Sequence, residues 1–297
     1  MIDILRYRWM SGIASIAILV AAVAVGIHRS QTRGSAFTYS VDFTGGTQVL
    51  LQFSQNVSSD EITRVLQEQW PSVSVRTFGE REHMVRVADF SNDPQGLASR
   101  MVSTLEAELP GQQVTILENE AVGAGVGQAL RHKSWMAIFL SLIALLIYIA
   151  ARFWSVGFAV GAVVALIHDA LIMLAVILLF DREISMTVIG AILAVLGYSI
   201  NDTIVIFSQI RDTLKSSKRL PLYDIVNISL NQTMRRTILT SVSTALTVIS
   251  MLVLGGEALR TFSLTLLVGI IFGTYSSVFI ASPVFMLFNR GNKQVSH

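Results

Sequence analysis

The chain is 297 residues long, 52% hydrophobic and only 14% charged, against roughly 25% charged residues in ordinary soluble domains. A formal net charge of +2 is too small for an electrostatic hold on nucleic acid, and the absence of cysteine excludes disulfides and thiolate-bound zinc or iron–sulfur sites. The apolar residues come in blocks long enough for a helix of about 20 residues to cross a hydrocarbon layer about 30 Å thick, so a polytopic membrane protein is expected, not a soluble enzyme.

The first block runs from about Met10 to Ile27, flanked by Arg6, Arg8, His28, Arg29 and Arg33. It reads as a first span or a signal peptide with an A-x-A site at Ala22-Val23-Ala24; its length favours an uncleaved anchor. After Gly34 the composition becomes that of a soluble domain, lasting to about Glu120. Thr47 to Phe53 reads as a strand after the turn residues Thr44, Gly45 and Gly46. Ser58 with Glu61 is a capping box opening a helix through Gln69, with Ile62, Val65 and Leu66 on one face. Val73 to Phe78 and His83 to Phe90 make a hairpin around Gly79. Pro94 opens a second helix in which Leu97, Met101, Leu105 and Leu109 recur every four residues, and Val114 to Leu117 is a last strand. The order βαββαβ predicts a ferredoxin-like sandwich. His83, alone among charges, reads as a solvated strand residue and no catalytic cluster is visible. The run Val122-Gly123-Ala124-Gly125-Val126-Gly127 lacks the Lys-Ser/Thr of a phosphate loop. Gly123, Gly125 and Gly127 are read as a hinge.

Five further spans follow, at about Trp135 to Ala150, Val156 to Leu179, Ser185 to Ile210, Thr237 to Leu254 and Phe262 to Phe288, the last interrupted by Pro283. Arg6, Arg8, Arg152, Arg211, Lys215, Lys218, Arg219, Arg235, Arg236, Arg290 and Lys293 fall on one side of six spans, which marks that side and both termini as cytoplasmic and the globular insert as extracytoplasmic. Arg131 and Lys133 are a mild exception beside a long insert. The expected fold is thus a polytopic α-helical membrane protein of six transmembrane helices, with an extracytoplasmic α+β domain between the first and second. Its parts are 1–30 (N-terminus and first span), 31–127 (insert and hinge), 128–290 (five-helix bundle) and 291–297 (cytoplasmic tail).

A charged side chain at mid-span costs about 2.5 to 3.5 kcal/mol on insertion scales, so the residues that bear this cost are the candidates for function. Asp202 lies some seventeen residues into the fourth span, bordering a face of small residues at Gly190, Ala194, Gly197 and Asn201. It reads as a helix–helix hydrogen bond or as a proton-carrying carboxylate. Asp169, mid-way in the third span, has the same two readings, and the adjacent His168 points about 100° away around the helix and need not share its surroundings. Arg236 opens the fifth span, where Gln232, Arg236, Thr240, Ser243, Thr247 and Ser250 step by three or four residues into one polar stripe. The stripe suits a packed contact or a hydrated path, with Arg236 either anchoring to lipid phosphates or stabilising ionised Asp202. No metal-ligand spacing or nucleophile triad is present.

Val41-Asp42-Phe43-Thr44-Gly45-Gly46, Ile167-His168-Asp169, Gly197 to Thr203, Asn231 to Ser241 and Phe262-Ser263-Leu264-Thr265 together resemble the SecF family, subunits of the SecDF protein-export complex in the resistance–nodulation–division superfamily. The resemblance implies pairing with SecD, work beside the SecYEG channel and YajC on preproteins, and use of the proton-motive force at the bacterial inner membrane with no cofactor. It aligns Asp202 and Arg236 with the intramembrane acid and base implicated in proton flow; residue chemistry adds Asp169 to this candidate proton relay, with Asn201, Gln232, Thr240, Ser243 and Thr247 as supporting polar residues. Two positions depart from the family: Ala124 stands where Pro is frequent, and Ser208-Gln209 where an Asp-Arg pair is frequent. A proton-coupled small-molecule exporter and a passive scaffold are the rival readings.

Overall fold

The computed structural model describes all residues except 78, 80, 89–92, 218 and 290–297, and all described side chains except those of 257 and 258. The expected strand ends at Phe78 and Phe90, the basic residues Lys218, Arg290 and Lys293 and the tail 291–297 lie outside the described residues. Contacts divide the chain into a globular unit, 39–135 with 183–186, and a helical unit, 1–38, 136–182 and 187–297.

In the globular unit β2 (Gly46–Phe53), β3 (Ser74–Thr77), β4 (Glu82–Val87) and β5 (Val114–Val122) form an antiparallel sheet in the order β3-β4-β2-β5. Between the strands come α3 (Ser59–Gln67) and α4 (Pro94–Glu108), so the element order is βαββαβ. Each helix starts where its cap dictates: Ser58 Oγ accepts the Glu61 N–H at 3.2 Å and Asp93 Oδ1 accepts the Gly96 N–H at 2.9 Å. The core closes on Val49, Leu51 and Phe53 from β2, Val85 and Val87 from β4, and the helical positions Ile62, Leu66, Leu97, Met101 and Leu105. β5 runs five residues past the expected Leu117, because Glu118, Asn119 and Glu120 pair with Leu50, Val49 and Gln48. Gly46 has φ +109°, and a Cβ there would strike the Val87 carbonyl oxygen, so this turn into β2 requires glycine.

His83 is only 1% exposed, a correction to the expected solvated residue. It lies opposite Leu51 in the β2–β4 register and shares the inward parity of Val85 and Val87, with Phe53 edge-on at 5.4 Å. Burial lowers its pKa from 6.5, against a backbone hydrogen bond at Val57 that raises it.

The short α2 (Val41–Thr44) and the four residues Glu183–Met186 complete the unit. Glu183 takes Arg86 at 2.6 Å and Arg76 at 3.3 Å, and Arg86 also donates to the Tyr39 carbonyl and Gln48 Oε1. Ser40 N–H donates to the Ile184 carbonyl at 3.0 Å, and Asp42 Oδ2 accepts the Met186 N–H at 2.8 Å.

The helical unit draws on α1 (Arg8–Arg33), α5 (Ala124–Phe153), α6 (Val156–Leu179), α7 (Met186–Ser216), α8 (Leu222–Leu254) and α9 (Gly256–Ser276), the last continuing through a π turn (Ser277–Ala281) into α10 (Ser282–Phe288). Among the described residues six helical segments are long and apolar enough to cross a membrane. The helices outrun the apolar blocks: α5 starts at Ala124, α7 reaches Ser216 and α8 starts at Leu222. Residues 222–236 carry Asp224, Asn227, Ser229, Asn231, Gln232, Thr233, Arg235 and Arg236 among apolar side chains and are helical throughout, so polarity there marks the edge of the apolar layer and not the end of the helix. Arg236 is therefore mid-helix, not at a helix start. α6 is apolar apart from His168 and Asp169 and is packed by α1, α9 and α10. Phe158 stacks on Phe285 at 4.2 Å and meets Phe207 at 4.9 Å, filling one end of the interior. Arg29 and Arg33 of α1 pair with Asp181, just past α6, at 3.0 and 3.1 Å.

Candidate functional site

Among the described residues two carboxylates are buried inside the helical unit, each hydrogen-bonded to hydroxyls. Asp202 of α7 is 4% exposed. Its Oδ2 accepts from Ser241 Oγ of α8 at 3.4 Å, and Ser241 is bonded to Thr274 Oγ1 of α9 at 2.6 Å. Asp169 of α6 is fully buried, and its Oδ2 accepts from Ser199 Oγ of α7 at 2.6 Å and Ser276 Oγ of α9 at 2.9 Å. Next to Asp202 in sequence, Thr203 Oγ1 meets Ser277 Oγ at 2.8 Å. α7 thus offers Ser199, Asp202 and Thr203 within little more than one turn, and α9 with its π turn answers with Thr274, Ser276 and Ser277. A Cβ on Gly273 would sit 3.0 Å from Ser199 Cβ, so glycine lets α7 and α9 approach closely enough for these side chains to meet. The π turn advances the helix by an extra residue, a distortion that recurs at functional sites.

His168 is turned back onto its neighbour, which corrects the expectation drawn from the 100° step. Its Nδ1 lies 3.1 Å from Asp169 Oδ1 and its Nε2 3.0 Å from Ser15 Oγ of α1. The step separates Cβ directions, but two adjacent side chains of this length still reach each other through their ends.

The predicted residues are not all brought together. Arg236 is on the exposed face of α8, and no ion pair within 4.0 Å joins it to Asp202 among the described residues. Gln232, Thr240, Ser243, Thr247 and Ser250 share that outward face. The hydroxyls of Thr240, Thr247 and Ser250 return to carbonyls of their own helix, so these three are satisfied without a partner helix. Gln232 accepts from Gln209 Nε2 of α7 at 2.7 Å. Asn201 is exposed alongside Gly190, Ala194 and Gly197, and a Cβ on either of these glycines would meet open space. The side of α8 that faces Asp202 carries Thr233, Thr237 and Ser241 instead. Gly123 joins β5 to α5, and Gly125 and Gly127 lie in the first turn of α5; a Cβ on Gly127 would be 3.0 Å from Gly45 N and 3.2 Å from Asp42 O.

Sequence reasoning missed Ser15, Ser199, Thr274, Tyr275, Ser276 and Ser277. The run Thr274-Tyr275-Ser276-Ser277 in an otherwise apolar span was a usable signal. Ser15, one of two serines in an apolar first span, carried none.

A helical bundle with two buried carboxylates, joined to a globular α+β unit, defines a multi-pass membrane protein with an ionisable interior. Residues 102–291 match the family described as protein export membrane protein SecD/SecF, C-terminal, and residues 35–57 match the SecD/SecF GG motif; the chain belongs to the SecF branch of this family of protein-export membrane proteins. It is 35% identical to the protein translocase subunit SecF of Calditerrivibrio nitroreducens over 95% of this chain and 94% of that one. Against the SecF subunit of Pseudomonas aeruginosa the identity is 36%, over 94% of this chain and 90% of that one. The crystal structure of SecDF from Thermus thermophilus superposes with a TM-score of 0.83 at 34% identity, covering 96% of this chain and 38% of that longer one.

Proposed function

We propose that the chain is an accessory subunit of the bacterial Sec protein translocase, acting with SecD, and that it uses the proton-motive force through Asp202. It is a multi-pass protein of the cytoplasmic membrane with both termini inside and the globular unit outside. The observation that carries the mechanism is a carboxylate in the bundle interior whose described partners are hydroxyls, with the fixed cation Arg236 on the adjoining helix. Arg236 precedes Ser241 by five residues, about 7.5 Å along α8. That is close enough to favour the ionised carboxylate and too far to lock it in an ion pair.

Protonation then decides whether Asp202 attracts Arg236, and this biases two arrangements of α7, α8 and α9. A charge crossing the whole membrane field is worth about 2.3 kcal/mol per 100 mV, enough to shift a two-state equilibrium more than tenfold. Asp169 is the second member of the relay. The outward faces of α7 and α8, small on one and hydroxyl-lined on the other, are left uncovered by this chain and suit the close approach of SecD helices. That fits a family in which the Thermus protein carries SecD and SecF in one chain.

The test is preprotein translocation into inverted membrane vesicles carrying the complete translocase with Asp202→Asn. The ATP-driven phase should stay within about twofold of wild type while the stimulation by a proton gradient disappears, since the amide cannot take up a proton. Stimulation at the wild-type level in the mutant would reject the proposal. Export unimpaired with both Asp169 and Asp202 neutralised would leave only a scaffold.

A further inference from the structure

His168 Nε2, Ser15 Oγ, Tyr275 OH and the Ser11 carbonyl form an unbroken chain from α6 through α1 and α9: Nε2 to Oγ is 3.0 Å, Oγ to the Tyr275 oxygen is 3.0 Å, and the Tyr275 hydroxyl contacts the Ser11 carbonyl oxygen. The direction of each bond follows from counting hydrogens. A carbonyl only accepts, so Tyr275 gives its single proton to Ser11. Ser15 must then donate to the Tyr275 oxygen, because two hydroxyl oxygens at that distance need a proton between them. Ser15 has no second proton, so His168 donates from Nε2–H. The tautomer of His168 is therefore fixed by a carbonyl three bonds away along the chain.

At the other side of the ring Asp169 Oδ2 is occupied by the Ser199 and Ser276 hydroxyls, leaving Oδ1 to face His168 Nδ1. One proton lies between these two atoms. Held on Oδ1 it makes a neutral pair, and held on Nδ1 it makes an ion pair; the number of bound protons is the same. Losing it leaves one negative charge, which the two serine hydroxyls already face. The groups in contact with the pair are Ser15 from α1, Ser199 from α7, and Phe272, Tyr275 and Ser276 from α9. Of these only Tyr275 is ionisable, so no fixed charge among them competes for the pair's proton.

We infer that His168 and Asp169 form a one-proton station distinct from Asp202, and that Ser15 and Tyr275 are positioning residues which hold His168 in its Nε2–H form so that Nδ1 stays available to Asp169. This rests on the proton-driven reading above. It assigns to α1, which bears no acid or base in its interior stretch, the task of setting the protonation pattern of α6.

The chain, in lipid with its native membrane partners and labelled with 15N-histidine, is examined by NMR near neutral pH, and the His168 resonances are identified among its five histidines by their loss in His168→Asn. The wild type should show protonated Nε2. Tyr275→Phe keeps the ring contacts but frees the Ser15 hydroxyl to donate to Nε2, so the Nδ1–H form should appear. Ser15→Ala, which removes the link from the other end, should leave a mixture of tautomers. In vesicles Tyr275→Phe should lower gradient-stimulated translocation by about fivefold or more at unchanged ATP-driven translocation. A wild-type His168 with bare Nε2, or spectra unmoved by both substitutions, overturns the inference. Full stimulation in a Tyr275→Phe protein whose tautomer has flipped overturns it as well. Retained stimulation in Asp202→Asn would instead strike the Asp202 relay, and the histidine spectra report on the pair whatever that outcome is.

Discussion

Leu51 and His83 face each other across β2 and β4, and that single register position decides the state of the histidine. The alternation along β4 places residue 83 with Val85 and Val87, so its burial is legible in the strand period, whereas its charged neighbours in sequence point to water. Its low folded-state pKa has a consequence for stability. The unfolded chain takes up this proton near pH 6.5 and the folded unit only at lower pH, so the stability His83 contributes is complete above about pH 6.5 and is lost as pH falls from there through the folded value. Amide exchange of β2 and β4, corrected for intrinsic rates, should quicken between about pH 7 and pH 5, and His83→Leu should flatten that dependence; an unchanged slope in the variant would assign it elsewhere. Asp202 and Asp169 were legible for the opposite reason, because in an apolar stretch one charge stands out without any knowledge of its neighbours.

At the scale of elements, the three- and four-residue steps along α8 identified a genuine helical stripe but not the direction it faces. Both sides of α8 carry hydroxyls, Thr233, Thr237 and Ser241 inward and Thr240, Ser243 and Thr247 outward, so periodicity had no contrast from which to choose. The segment Glu183–Met186 poses a similar problem: in sequence it is a short loop between two spans, whereas in space it folds with the globular unit. Glu183 is half-buried between Arg76 and Arg86, a geometry in which removal of one charge leaves the others under-satisfied. Glu183→Gln should raise amide exchange across residues 183–186 by about tenfold, equivalent to about 1.4 kcal/mol, with α6 unchanged. Protection at the wild-type level would show that the Ser40 and Asp42 hydrogen bonds suffice to hold the segment.

For the whole molecule, the distribution of Lys and Arg sets the proposed orientation, and the absence of cysteine makes it simple to examine. In intact cells Glu61→Cys, on α3 of the globular unit, should react with a membrane-impermeant maleimide added outside, while Lys215→Cys, at the end of α7, should react only after the membrane is opened. The reverse pattern would invert the topology and with it the direction of the proton path.

Hydropathy, helical and strand periods, caps and turn residues are local properties, and from them the sequence by itself determined six spans, a soluble insert, the order of its strands and helices, and the two costly acids. The partners of those acids were decided only by the tertiary structure. Ser276 reaches Asp169 from 107 residues away, Ser15 reaches His168 from 153 and Tyr275 reaches Ser11 from 264. A hydroxyl in an apolar helix can satisfy itself on its own backbone, so its sequence context is the same whether it faces lipid or a carboxylate, and only the packing of one helix against another tells the two apart.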